Sequence, residues 1–166
     1  MAEVTGNATV IALRRPWSGD VADRSGDLLD TAFGWTDITR LRGLVARHCA
    51  AAGLTGSRLD DFVLAVHEIS ANAIVHAGAE GRLVLRRVAS GVRCMITDTP
   101  APGSACPAPR QAELHEMTCD GDPDAPAEPI GADSGRGLWL AATLADELRI
   151  TSGPDSVIVS LYMRLD

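Results

Sequence analysis

The sequence predicts an α+β protein, a two-layer α/β sandwich with a mixed, mainly antiparallel sheet and helices packed on one face. Residues 57–77 carry apolar side chains at helical spacing without an internal Gly or Pro, which predicts one long helix. Short β-branched runs follow as two hairpin-like pairs, 82–88 with 92–97 and 146–151 with 156–163. A chain of 166 residues is long enough for one well-buried core and too short for two domains.

The N-terminal part of the chain is predicted to differ from the rest. Residues 1–35 are expected to form an N-terminal strand and an irregular arm, ahead of a main domain over 36–166. Residues 8–13 are β-branched and apolar, as in a strand, whereas residues 16–34 mix Gly, Asp and Ser around polar runs. Within the main domain, a first helix is predicted over residues 36–52.

The central helix carries a polar pair that needs an explanation. Ser57 is expected to cap this helix, and Gly78 is expected to end it. Glu68 and Asn72 are four residues apart, so their side chains lie on the same face. An ordinary, partly exposed Glu and Asn would account for the pair. On a mostly buried helix, however, they need partners, which a bound metal–phosphate group would supply.

The segment from Pro100 to Asp133 differs in composition from the rest of the chain. It contains seven of the nine prolines and many acidic residues, and it shows no sustained periodicity. An irregular segment of this length inside a compact domain is uncommon and is usually functional. It ends just before Ser134-Gly-Arg-Gly-Leu138, which leads into a predicted apolar helix.

Composition excludes several classes of protein. The formal net charge is −7, the pI is near 5.0 and no basic stripe is present, which argues against direct nucleic-acid binding. No apolar stretch approaches the roughly 20 residues that a membrane span requires. The four cysteines are widely spaced without a CxxC pair, and no secretory signal is visible, which predicts a reducing cytoplasmic location.

The order of these motifs resembles that of a known family. Glu68-x-x-x-Asn72, then Asp98 at a strand end, then Gly135-Arg-Gly-Leu138 are similar to the N-box and the two glycine boxes of the GHKL superfamily. Within this superfamily of histidine-kinase-like ATPase folds, the chain resembles the small bacterial anti-sigma-factor serine kinases over roughly residues 36–165. The resemblance implies that residues of about 99–134 form an ATP lid.

The resemblance also implies ATP and Mg²⁺ as cofactors. Phosphoryl transfer needs a metal ion at the phosphates, donors for the phosphate oxygens and a base for the attacking hydroxyl. Asn72 is the implied metal ligand, and Glu68, one helical turn away, is the implied catalytic base. Asp98 is expected to accept a hydrogen bond from the adenine amine. Ser156 stands where relatives place a supporting threonine.

The second glycine box is expected to bind phosphate. Gly135 and Gly137 allow the backbone to approach a phosphate closely, at a helix end that presents free N–H groups. Arg136 adds a permanent charge with bidentate geometry for phosphate oxygens, and Leu138 completes the motif. A lone GxG before a helix is more often a simple turn, but its pairing with the ExxxN motif favours a phosphate site.

The first glycine box departs from the family pattern, and several functions therefore stay open. Pro100 and Pro102 occupy the two glycine positions, and proline has a fixed φ and no N–H. The first hypothesis is an anti-sigma-factor serine kinase whose partners are a sigma factor and its antagonist protein. The alternatives are a non-catalytic partner-binding module on the same fold, and an ATP hydrolase or histidine-kinase-type fragment. Relatives often dimerise, so a homodimer is expected.

Overall fold

The computed structural model contains one sheet and one layer of helices. The structure describes residues 2–5, 8–12, 26–77, 80–99, 134–152 and 156–165. The strands are β1 Ala2–Thr5, β2 Ala8–Ala12, β3 Asp27–Phe33, β4 Glu80–Val88, β5 Gly91–Thr99, β6 Glu147–Ser152 and β7 Val157–Arg164. The helices are α1 Ile38–Ala51, α2 Gly56–Ala77 and α3 Ser134–Leu144, and a 3₁₀ turn, Trp35–Asp37, precedes α1.

The seven strands lie in the order β1-β2-β6-β7-β5-β4-β3. Every neighbouring pair among the described strands is antiparallel, so the mainly antiparallel sandwich is confirmed. Both predicted hairpins are present as β4–β5 and β6–β7. The predicted lid, about 99–134, falls almost entirely outside the described residues.

One face of the sheet packs against the helices. Helix α2 contacts both α1 and α3, and it also contacts strands β4, β5 and β7. Alternate residues along β5 face this layer, and they are buried with the apolar side of α2. The core on the strand side consists of Leu83, Leu85, Val92, Cys94, Ile96, Leu148, Ile150, Leu161 and Met163. No helix in the described ranges is long and apolar enough to cross a membrane.

The irregular arm predicted for residues 16–34 is wrong for its last part. Residues 27–33 form β3, which pairs with β4 and makes one edge of the sheet. Phe33 is only 2% exposed, and its ring lies directly over the backbone of Gly81. Gly and Asp residues, which are typical of turns, lie next to this segment. They conceal the alternation of inward-facing residues that indicates a strand. Residues 13–25 lie outside the described residues, and the domain boundary at residue 36 stays a prediction.

Two helices begin earlier than the sequence predicted. The N–H of Leu59 donates to the carbonyl of Thr55, so α2 starts at Gly56 and Ser57 is not its N-cap. Helix α3 begins at Ser134, which places the whole second glycine motif inside its first turns instead of before them. The predicted stop at Gly78 lies outside the described residues.

An arginine–aspartate contact anchors the beginning of α2 to the sheet. Arg58 forms an ion pair with Asp146, and its guanidinium also donates to the carbonyl of Arg164 at 3.1 and 3.2 Å. The same Asp146 carboxylate accepts the N–H of Arg164 at 2.8 Å. This contact joins residues that are 88 and 106 positions apart, so it fixes α2 against the end of β7.

We expect Asp146→Ala to lower the free energy of unfolding by about 1 kcal/mol, because the partly buried Arg58 guanidinium loses its carboxylate and the Arg164 N–H loses its acceptor. Urea denaturation of the purified protein measures this loss. Arg40→Ala is the control, since Arg40 is 73% exposed and 3.9 Å from its acidic neighbour. Equal stability of Asp146→Ala and the wild type would contradict the anchoring role.

Two cysteine thiols are buried between α1 and the sheet. Cys49 on α1 and Cys94 on β5 are both free and fully buried. Burial raises the pKa of Cys49 from 9.0 to about 12. Burial, and then the neighbouring Cys49, raise the pKa of Cys94 well above its ordinary value. Both side chains therefore behave as small apolar groups in the core.

We expect the free energy of unfolding to fall as the pH rises from 9 toward 12. The unfolded chain releases its thiol protons near pH 9, whereas the folded chain retains them, so ionisation favours unfolding. Urea denaturation at about pH 8 and about pH 10 measures the change. Cys49→Val removes one titrating group, and this variant should lose less stability over the same interval. A loss as large as that of the wild type would refute the assignment to Cys49.

Candidate functional site

The closest contact between α2 and α3 brings the predicted site residues together. Glu68 and Asn72 lie half-buried, one turn apart on α2, and Gly137 of α3 is buried against them. A Cβ atom on Gly137 would lie 2.9 Å from Asn72 Nδ2 and 3.0 Å from Glu68 Oε2. A larger residue at this position would displace the ends of the Glu68 and Asn72 side chains from where they now lie.

The first turns of α3 place charge and backbone donors beside this pair. The first N–H groups of a helix have no partner within the helix, and this helix end carries a partial positive charge. Arg136 is exposed, Gly137 faces α2, and Leu138 is half-buried and packs against the core. Leu138 therefore fixes the beginning of α3 against the core, while Arg136 stays at the surface. The arrangement favours the binding of an anionic ligand at the beginning of α3, next to Glu68 and Asn72.

Asp98 occupies a second part of the candidate site. It is only 7% exposed, and it lies on the helix-facing side of β5, next to the last residue of that strand. The backbone N–H of Val157 donates to Asp98 Oδ1 at 2.6 Å. Ser156, which is half-buried, directly precedes this donor. The structure therefore brings Asp98 and the start of β7 together across two neighbouring strands.

Two contributors to this region were missed by sequence reasoning. The Val157 N–H is a backbone group, and no side-chain pattern could have indicated it. Phe33 fills the space over Gly81, the residue opposite Asp98 in the β4–β5 register. The alternation of Leu29, Thr31 and Phe33 was the available signal for that contact.

The donor set is suited to a metal ion that is bound together with phosphates. No group of three or more His, Cys, Asp or Glu residues in the described ranges could hold a metal ion by itself. Magnesium is usually held by one or two protein oxygens, with phosphates and waters as its other ligands. The Asn72 amide oxygen beside the Glu68 carboxylate, under a helix N-terminus, fits that chemistry.

A small cavity elsewhere does not belong to this site. It measures about 40 Å³ and is lined by Arg93, Glu147, Arg149, Ser160 and Tyr162. These side chains alternate with core residues on β5, β6 and β7, so they lie on the face of the sheet away from the helices. The buried Glu147 Oε2 has no hydrogen-bond partner, and a water in the cavity would supply one.

The fold is an α/β sandwich in which the beginning of α3 lies against Glu68 and Asn72. The family model for the histidine kinase-like ATPase domain matches residues 35–163. The chain therefore belongs to this family, as the resemblance to GHKL domains predicted. No curated protein matches the chain. Membership implies ATP binding, generally with Mg²⁺.

We expect Gly137→Ala to weaken ATP binding about tenfold, because the new Cβ displaces the ends of the Glu68 and Asn72 side chains. Calorimetric titration with Mg–ATP measures the affinity. Gly43→Ala is the matched control, since a Cβ at Gly43 meets nothing within 4 Å. Wild-type affinity in Gly137→Ala would show that the contact between α2 and α3 is not part of the nucleotide site.

Proposed function

We propose that the protein is an ATP-dependent serine kinase of the anti-sigma-factor type. In this proposal it phosphorylates a serine on a small antagonist protein and exchanges that partner for a sigma factor. The observation that supports it most directly is the placement of Glu68 and Asn72 against Gly137. A potential base, a metal ligand and a phosphate-binding helix end are the groups that phosphoryl transfer requires.

Nucleotide recognition is assigned to both parts of the site. Asp98 accepts a hydrogen bond from the exocyclic amine of adenine, and the Val157 N–H holds the carboxylate in position. Ser156 supports the same contact from the start of β7. Arg136 and the N–H groups at the start of α3 bind the phosphates.

The transfer step follows from the other two residues. Asn72 supplies an oxygen ligand to Mg²⁺, which neutralises charge on the phosphate oxygens when it is bound. The serine oxygen attacks the γ-phosphorus of ATP and its proton passes to the Glu68 carboxylate. The bond from the γ-phosphorus to the bridging oxygen breaks, and ADP leaves with the electron pair.

Phosphorylation changes which partner is bound. A phosphoserine adds nearly two negative charges and three acceptor oxygens, enough to disrupt one interface and to favour another. The proposal assigns a homodimer acting in the cytoplasm. The free thiols of Cys49 and Cys94 are consistent with such a reducing compartment.

One sequence feature favours the alternative, a non-catalytic partner-binding module on the same fold. Pro100 and Pro102 stand at the glycine positions of the first glycine box. Proline donates no backbone N–H and cannot take positive φ, so a nucleotide site that needs either property is altered. In this alternative the protein holds its partner without transferring phosphate.

Calorimetric titration with ATP, with and without Mg²⁺, tests the proposal. We expect micromolar binding that requires Mg²⁺, and we expect Asn72→Ala to weaken it about tenfold through loss of one charge-assisted ligand. Glu68→Gln should retain ATP binding and lose transfer of labelled phosphate to a serine acceptor, since the amide cannot take the proton. Thr143→Ala, on the exposed side of α3, serves as the control for both measurements.

The outcomes separate the two functions. Binding without phosphate transfer to any tested antagonist or sigma factor would favour the partner-binding module. Absence of any binding heat from a folded protein would refute both nucleotide binding and catalysis. Steady ATP consumption without a protein acceptor would instead identify an ATP hydrolase.

A further inference from the structure

The outward side of α1 is exposed and is not covered by the elements that the structure describes. We call it the α1 face, and it consists of Trp35, Arg40, Gly43 and Arg47. Positions 40, 43 and 47 share one side of the helix, opposite the buried residues of α1. Arg40, Gly43 and Arg47 are exposed, and Trp35 lies in the 3₁₀ turn before α1.

The charge of α1 is unbalanced. Its residues Ile38–Ala51 include three arginines and no acidic residue, in a chain with a net charge of −7. Arg40 reaches only Asp37, at 3.9 Å. Within the described part of the chain, neither Arg42 nor Arg47 forms an ion pair or a hydrogen bond.

Arginines on the sheet behave differently. Arg82 forms two hydrogen bonds to Asp30, at 2.8 and 2.6 Å, and Arg86 forms one to Asp27 at 2.5 Å. These pairs join β3 to β4, and in each of them an aspartate neutralises the charge of an arginine. On α1, by contrast, the contact of Arg40 with Asp37 at 3.9 Å is the one ion pair of an arginine within the described residues.

Gly43 is the second unusual feature of this helix. Glycine inside a helix is destabilising relative to alanine, so its presence needs a reason. No atom lies within 4 Å of a Cβ built at Gly43, and its φ is not positive. Neither internal packing nor backbone conformation therefore requires glycine here. It leaves a shallow recess on the α1 face between Arg40 and Arg47, where another chain can approach the helix backbone.

Trp35 gives the α1 face an apolar contact point. Its side chain is 61% exposed, the largest value among the exposed large hydrophobic residues in the described ranges. Tryptophan and arginine are the residues most enriched at the energetic centres of protein interfaces. An exposed indole in the turn before a helix that carries exposed arginines therefore favours a protein-binding surface.

We propose that the α1 face docks an acidic segment of a partner protein. The partner backbone crosses Gly43, and its carboxylates pair with Arg40 and Arg47. The Cα atoms of these arginines are about 10 Å apart along the helix axis. Carboxylates seven residues apart on a partner helix match that separation and lie on one face of that helix.

A protein partner fits better than the other polyanions. A nucleic acid carries a long row of phosphates, and three arginines on one helix neutralise few of them. A membrane surface would require an apolar stripe along the helix, whereas the α1 face has a single large apolar residue. A short acidic segment is small enough to contact only the α1 face.

The docking surface does not rest on the proposed kinase activity. Helix α2 packs against α1 on one side and against α3 on the other. Glu68 and Asn72 belong to the α3 side, at Gly137. Docking on the α1 face is therefore measurable without nucleotide, and its variants should bind ATP as the wild type does.

Fluorescence anisotropy with a labelled synthetic peptide tests the proposal on the full chain. The probe is an amphipathic helix of about 20 residues, with Glu at seven-residue spacing and Leu on the adjoining positions. We expect saturable binding that weakens with added salt. Arg40→Gln with Arg47→Gln should weaken binding about tenfold, since two charge contacts are lost. Gly43→Gln should weaken it comparably without any change of charge.

Matched controls separate docking from net charge and from folding. Arg82→Gln with Arg86→Gln removes the same charge from the sheet, and this variant should bind the peptide as the wild type does. The same peptide with Gln in place of Glu should not bind. Gly43→Ala should raise the melting temperature and still weaken the binding of the peptide. Misfolding cannot produce both effects, because it would lower the melting temperature.

Three results would overturn the proposal. The first is equal weakening by the sheet variant and the α1 variant, which would indicate a nonspecific charge effect. The second is wild-type affinity in Gly43→Gln, which would exclude backbone approach at the recess. The third is tighter binding of duplex DNA or of anionic phosphatidylglycerol vesicles than of the peptide, which would assign the α1 face to a different ligand.

Discussion

The approach of α3 to α2 at Gly137 is the constraint on which the candidate site depends. With no side chain at this position, the first turns of a positively polarised helix lie directly against Glu68 and Asn72. Each group has little chemical meaning alone, since a carboxylate, an amide and a helix end occur widely in proteins. Their contact brings together the groups that the proposed function assigns to the phosphate oxygens and to the metal ion.

The contact is held by packing on the other sides of both helices. Leu138 packs against the core below the turn, and α2 rests on β4, β5 and β7. At its beginning, α2 is tied to the sheet by Arg58 and Asp146. The half-buried site residues therefore lie on a helix whose opposite side is buried in the core. The position of Glu68 accordingly depends on the stability of the sheet. Site geometry and fold stability are coupled through α2.

Charge is distributed unequally over the surfaces of the domain. On the sheet, arginines pair across strands with aspartates, as Arg82 does with Asp30 and Arg86 with Asp27. On α1 only Arg40 has such a neighbour among the described residues, Asp37 at 3.9 Å, although the whole chain is acidic. An arginine that pairs within the fold is less available to a partner protein, whereas Arg47 on the α1 face stays available. The domain thus presents the candidate nucleotide site on the α3 side of α2 and the basic surface on the α1 side.

The sequence by itself determined the local order of the molecule. The helical period over residues 57–77 predicted α2 and placed Glu68 and Asn72 on one face, because both depend only on spacing along the chain. The irregular arm predicted for residues 16–34 failed at β3, since an edge strand is defined by its partner. Only the tertiary structure decided the contact of Gly137 with α2 and the hydrogen bond from Val157 to Asp98. These join residues far apart in the chain, and their distances follow from how the helices pack on the sheet.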